Sequence, residues 1–474
     1  MPPKLALLFG VIFILVAFRF EKKRDFGLTS GLFWPTLWYM VVASRPIGVW
    51  LITWGVPLPG GVANPEDGSI IDRLFFAILA VIGLRILSKR GFSWTRAIAD
   101  NKCLTFFVLY IAISICWSDY TFVSFKRFIK LFGSIVMAMV VLTNGRPLDS
   151  IFTVLRRCLY IHIPMSIICT RYFREIGVSF EWNGTVEFWQ GIATSKNTLG
   201  QITMLAVLYF TWDIYKNWKQ IGLKNFHVIY LMMSVFLLKG SSGAISMTSL
   251  FVSIFALFIF FTIQFLRKQQ GLVRVFVAGV FTALFLLVVV VVIHSLDPFA
   301  EKSFFGKIIT TVGRDITLTD RTYIWSDVYK AAADSPLVGV GFGAFWIGRE
   351  ANIPWNETMT WVLGQAHSGY VDTYLQLGIV GWFLLFIILV FSLAKMLSKL
   401  AEDFDYACLR ITLLLTVMFV DITESIYLRG DHHLWLVFQL ALWSVPPTYL
   451  MAESAADYAV EEPFLTDEEK ASAT

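Results

Sequence analysis

The fold class expected from this sequence is all-α, a polytopic transmembrane helical bundle of about 12–13 helices with one large hydrophilic loop. Three observations lead there. The 474 residues are 57% hydrophobic and 15% charged, with a mean hydropathy of +0.67, which is too apolar for an ordinary soluble enzyme. Apolar stretches of about 20 residues recur along the chain, the length at which a helix satisfies its own backbone while crossing lipid. Lys and Arg collect on one set of connections, in EKKR at 21–24, SKRGFSWTR at 88–96, KNWKQIGLK at 216–224 and LRKQQGLVR at 266–274. By the bias of positive loops toward the cytoplasm, that set lies inside.

The spans are expected at 4–20, 31–43, 70–87, 103–117, 125–142, 151–170, 198–213, 225–240, 243–265, 275–293, 374–397, 407–427 and 433–450. The first is followed by EKKR, with no small-residue cleavage site after it, and so reads as a retained span. Four regions result. Residues 1–293 form the N-terminal transmembrane helices, 294–373 an outer loop, 374–450 the C-terminal transmembrane helices, and 451–474 an acidic tail on the inner side. The five cysteines, at 103, 116, 158, 169 and 408, fall in or at the ends of spans without metal-ligand spacing and read as core residues.

The outer loop is the natural reaction chamber. Its middle, "LTDRTYIWSDVYKAAADSPLVGVGFGAFW", reads as a short amphipathic helix, a proline turn and a glycine-rich reversal, and its far end is "GQAHSGY". Basic residues that lie outside against the charge bias carry the information. They are Arg45, Lys126, Arg127, Lys130, Lys196, Arg321 and Arg429. Singly, each serves as a snorkelling anchor as readily as a ligand. Together with His367 they point to an anionic, lipid-linked substrate, because guanidinium forks and ammonium groups recognise phosphate.

Other features invite decoy readings. "DFD" at 403–405 resembles a metal-holding acid pair but falls in an inner loop, and "GVGFG" at 339–343 lacks the strand-helix unit of a dinucleotide site. Adjacent histidines as in "DHH" at 431–433 rarely share a tetrahedral ion, and His162, His227 and His294 lie at or within spans and read as structural.

The motifs "GIATSKNTLGQ" (191–201), "KGSSGAISM" (239–247), "LTDRTYIW" (318–325), "SPLVGVGFGAFW" (335–346) and "AHSGYVDTYLQLGIVG" (366–381), in this order, resemble the O-antigen ligase and polysaccharide polymerase superfamily. The segment "FWPTLWYMVVASRPIGVWL" (33–51) is similar to the exopolysaccharide polymerase branch. The resemblance implies a bacterial inner-membrane glycosyltransferase. Its donor is a glycan on undecaprenyl diphosphate at the periplasmic face, and its acceptor a growing polysaccharide or a lipid acceptor. It further implies His367 as the base and Arg321 as the loop arginine, with Lys196 at the basic position of the "KN" motif. The second family arginine, often found in the motif at 239–247, is absent, which leaves Lys239 or the "SSG" hydroxyls to replace it.

The chemistry asks for the same residue types. A sugar hydroxyl attacking an anomeric carbon must lose a proton, which suits His367 near neutral pH. The diphosphate departs ionised and needs neutralisation, expected from Arg321 and Lys196 facing one another, with Arg45, Lys126 and Arg127 further diphosphate contacts; no metal and no cofactor is expected. Tyr370 and Tyr374 are placed to meet the acceptor sugar, with Asp372 as an orienting partner. An O-antigen ligase acting on lipid A core, a secondary transporter and a non-catalytic scaffold are the alternatives. A flippase and a chain-length regulator encoded nearby would mark the polymerase; no nucleic acid partner is expected.

Overall fold

In the computed structural model, described here for residues 1–22, 30–56, 69–180, 184, 186–241, 246–296, 321–347 and 364–445, the apolar runs become helices. The N-terminal half contains α1 (Pro3–Lys22), α2 (Phe33–Ala43), α3 (Ile47–Thr53), α4 (Ile70–Lys89), α5 (Trp94–Asp100), α6 (Lys102–Ser114), α7 (Thr121–Leu142), α8 (Pro147–Tyr172) and α9 (Arg174–Gly177). A two-stranded antiparallel ribbon, β1 (Val178–Phe180) and β2 (Glu187–Trp189), precedes α10 (Lys196–Lys216), α11 (Ile221–Lys239), α12 (Met247–Phe265) and α13 (Gln270–Leu296). The rest comprises α14 (Arg321–Ala331), α15 (Gly369–Ser398), α16 (Phe404–Val420) and α17 (His433–Leu442).

Six of these helices are long and apolar enough to cross a membrane, or up to seven if α5 and α6, bent by 108°, count as one broken span. The protein is a polytopic helical bundle, as its hydropathy implies. Large apolar side chains stand exposed on α1, α12 and α13, among them Leu15, Phe265 and Val275. That is the surface expected where lipid replaces water. Trp38, Trp325 and Trp435 are fully buried at the centre.

The two largest departures from the expected boundaries lie at the C-terminal end. The span expected at 407–427 stops being helical at Val420, because residues 421–432 turn over the end of the bundle. The last helix ends at Leu442 rather than 450; the acidic tail lies outside the described residues, as do 297–320 and 348–363 of the loop expected on the outer side.

Ion pairs mark the end of the bundle opposite His367. Asp405 accepts from Lys216 at 2.7 Å and Arg267 at 3.3 Å, and buried Glu21 holds Arg156 at 3.1 Å and Arg157 at 2.7 Å. Asp403 caps α16 by accepting from the Tyr406 amide. The "DFD" acids are thus occupied with helix ends.

One break positions the site. Helix α15 is interrupted at Gly378, whose φ of 65° and ψ of −166° belong to glycine. The freed carbonyls of Leu375 and Gln376 accept from the amides of Val340 (3.1 Å) and Gly341 (3.0 Å), while the Ile379 and Val380 amides donate to Pro336 and Leu337. A Cβ on Gly378 would meet the Leu337 backbone at 2.3 Å. The "SPLVGVGFG" reversal is therefore stitched to the break in α15 by backbone bonds. Gly378→Ala is expected to cost at least about 1–3 kcal/mol. A thermal melt of the detergent-solubilised variant checks this, and an unchanged midpoint would contradict it.

Candidate active site

His367 lies in the connection 364–368, just before α15, with a φ of 52°. Histidine tolerates this left-handed conformation better than most residues. Its neighbours clamp the connection. Trp325 Nε1 donates to the Ala366 carbonyl at 2.8 Å, and the Ala366 amide donates to Asp372 Oδ1 at 3.2 Å. The Gly369 amide, the first of α15, is shared between the carbonyls of Asp421 and Glu424 at 3.0 Å each. A Cβ at Gly369 would lie 2.2 Å from the Asp421 carboxylate, so only glycine lets α15 start there. The histidine is thus wedged between the start of α14, the start of α15 and the segment after α16.

Charges from four elements converge on this point. Arg321, the first residue of α14, pairs through Nη2 with Glu424 Oε1 at 3.4 Å, and Asn197 Nδ2 donates to the same oxygen at 2.9 Å. Lys196, beside Asn197 at the start of α10, lies over the Phe188 ring at 3.8 Å and also acts electrostatically on Glu424. Arg429 Nη1 donates to Gln365 Oε1, and Gln365 Nε2 is 3.2 Å from His367 Nδ1.

Electrostatics follow from this crowding. Burial, then Arg321 and Arg429, push the His367 imidazole down to about 4. Burial pushes the Glu424 carboxyl up to about 7, against the lowering pull of Arg321, Arg429 and Lys196. At pH 7 the histidine is neutral, and the carboxyl sits close to its midpoint.

Two of these residues escaped the sequence reading of the site. Glu424 fell inside an apolar run taken for a span, and Arg429 counted only as one outward cation among seven. The signal was present in "DITESIYLRGDHH" (421–433), where acids and an arginine are too dense for lipid-buried helix.

The remaining expected residues sit as follows. Arg45 donates to the carbonyls of Ala193 and Ile176 and stacks on Trp50, fastening the segment that leads to Lys196. Arg127 donates to the Gly343 carbonyl at 2.6 Å, and Lys126 lies over the Phe122 ring at 5.1 Å. The Arg127 bond ties α7 to the glycine reversal, and the Lys126 contact lies within α7. Tyr374 lies against Tyr329. Tyr370 and Asp372 are buried: the tyrosine hydroxyl donates to Met418 O, and Asp372 accepts from Trp346 Nε1 at 2.8 Å, shaping the site from behind. Lys239 is exposed at the end of α11, and of the "SSG" hydroxyls Ser241 donates to Glu187 O while Ser242 lies outside the described residues.

Among the described residues there is no cluster of His, Cys, Asp and Glu that could hold a metal ion. In "DHH", Asp431 pairs with Lys130 at 3.4 Å and His432 caps α17. His227 bonds Asp213 and Tyr160, and His162 bonds Ala43 O and Ser166; the His294 side chain lies outside the described set.

Two small apolar hollows lie between α13 and α15. One is lined by Val291, Trp325, Ser368 and Tyr370, and the other by Phe285, Tyr370, Trp382 and Phe386.

Residues 227–386 match the O-antigen ligase family. The chain is similar to that ligase and polymerase superfamily. The match contains His367, Arg321, the stitched glycine reversal and the first part of α15. The chain is also 36% identical over 106 residues to the exopolysaccharide production protein ExoQ of Rhizobium meliloti (strain 1021), covering 21% of this chain and 24% of that protein. Less than two thirds of the relative is spanned. Together with the apolar helices, the likeness supports a multi-pass membrane protein in which residues 227–386 resemble the O-antigen ligase family.

Proposed function

We propose that this chain is a bacterial inner-membrane glycosyltransferase that polymerises oligosaccharide repeat units carried on undecaprenyl diphosphate into exopolysaccharide, at the periplasmic face. The observation that carries this reading is the convergence of His367, Arg321, Arg429 and Lys196 at one end of the bundle. A polyprenyl diphosphate needs cations for its phosphates beside a membrane for its tail. Arg321 supplies a planar fork and Lys196 a point charge to the departing diphosphate, which leaves already ionised and asks for no metal. His367 meets the hydroxyl of the acceptor sugar. Direct displacement inverts the anomeric centre.

Transfer to lipid A core is the second reading, since the matched family is described as O-antigen ligase. The relative's name, exopolysaccharide production protein, favours the polymerase. The test is purified protein in liposomes with a lipid-linked repeat unit and a chelator. A polymer ladder is expected without lipid A or metal. Glycosylation of lipid A core alone would transfer the assignment to a ligase, and dependence on a divalent ion would remove the metal-free mechanism.

A further inference from the structure

The hydrogen bonds around His367 determine what its ring can do. Gln365 turns its Oε1 toward Arg429, an obligatory donor, so its Nε2 amide faces His367 Nδ1. Nδ1 accepts that bond, which leaves the proton of the neutral ring on Nε2. The free face of His367 therefore presents an N–H donor. A protonated Nε2 has no lone pair with which to take a proton from a sugar hydroxyl; the basic nitrogen, Nδ1, is occupied by Gln365, and two guanidinium groups oppose the imidazolium that its protonation would form.

A different group in the site has the opposite character. Glu424 is 7% exposed, and the oxygen that takes Asn197 also takes Arg321. Its backbone carbonyl accepts from the Gly369 amide two residues after His367, which holds the Glu424 backbone at the start of α15. A carboxylate on the arginine meant for the donor competes with a diphosphate, because both are oxyanions seeking the same fork.

We propose that Glu424 is the general base of the transfer, freed for that role when the donor's diphosphate takes Arg321 from it. The proposal rests on the transferase reading above and assigns the proton within it. The acceptor's O–H bond breaks and its proton moves to a Glu424 oxygen. The hydroxyl oxygen forms its bond to the anomeric carbon as the carbon–oxygen bond to phosphate breaks, its electron pair leaving on the diphosphate. His367 donates from Nε2 to an oxygen of the reacting sugars, and the protonated Glu424 returns its proton to water as product departs.

The charges that face Glu424 support this. Arg321 of α14, Lys196 of α10 and Arg429 of its own segment favour the carboxylate, while burial and the nearby Asp421 oppose it. Loss of Arg321 to a diphosphate, with two further negative charges arriving, raises the carboxyl from about 7, so it becomes a stronger base when the donor is in place. His367, held near 4, offers less driving force for the same proton.

The experiment compares wild type, Glu424→Gln and Glu424→Asp in liposomes, with a lipid-linked repeat unit as donor. It measures donor affinity and the single-turnover transfer rate between pH 5 and 9. For wild type, the rate is expected to rise with pH through a limb at or above 7. Glu424→Gln should bind the donor as tightly as wild type or tighter, because Arg321 is no longer contested. Its transfer should fall by about 10²–10⁴-fold and lose the limb. Glu424→Asp, still a carboxylate, should recover part of the rate and regain the limb. Glu424→Gln that transfers like wild type, or that keeps the limb, overturns the assignment. So does Glu424→Gln losing donor binding together with turnover while Glu424→Asp restores both without a limb, since that is the behaviour of a structural counterion. Wild type that binds donor yet transfers nothing removes the transferase reading and this proposal with it.

Discussion

His367→Ala is expected to reach the membrane at a level comparable to wild type and to bind the lipid-linked donor, while its transfer rate falls by about 10²–10³-fold. That is the usual consequence of removing one donor or proton-handling group from a reacting centre. The backbone will tolerate the change only in part. Position 367 has a φ of 52°, where alanine is less at ease than histidine, so some loss of stability accompanies the chemical loss and rates must be compared at matched protein levels. His367→Gln separates the possible roles. A glutamine amide reaches about as far as Nε2 and keeps an N–H donor but has no basicity, so it should recover at least tenfold over alanine. Glutamine as inactive as alanine would return the base to His367. Normal polymer from His367→Ala would show that this histidine only packs.

Arg321→Lys is the second large effect expected. Arg321 sits at the start of α14 with Glu424 on one side and the imidazole of His367 within its field on the other. Lysine keeps the charge but not the planar fork that grips two oxygens at once, and a departing diphosphate gains negative charge on more than one oxygen. Transfer should fall by about 10²–10³-fold, mostly in the rate of the bound complex, since that is where the leaving charge develops. Donor affinity should weaken less, because Lys196 and Arg429 remain. Polymer length on a gel, from a deletion strain complemented at matched membrane levels, gives the first reading, and single-turnover rates the second. A lysine variant that makes polymer at the wild-type rate would mean that Arg321 serves only as a counterion for Glu424.

Much of the molecule was legible before any coordinates. The composition and the recurrence of apolar runs near 20 residues give a helical bundle, because in lipid each span has to bond its own backbone. The string "SPLVGVGFG" was readable as a reversal from its glycines; α10 starts at Lys196 and α15 at Gly369, two and five residues before the expected spans. What could not be read was which residues these helix ends would meet. Arg321 and Glu424 are 103 positions apart, and Asn197 and Glu424 are 227 apart.

Residues 421–427 show where hydropathy failed. Apolar neighbours made this stretch look like the end of a span, yet the helix stops at Val420 and the chain folds across the top of the bundle, delivering Glu424 and Arg429. The sequence by itself determined that this chain crosses a membrane as helices and carries a histidine and an arginine toward one end, since burial in lipid is a property of local composition. Only the tertiary structure decided that a carboxylate occupies that arginine and that a glutamine orients the histidine. Side-chain partners of this kind depend on the packing of α10, α14, α15 and α16, and no local pattern encodes which distant polar group a buried charge will find.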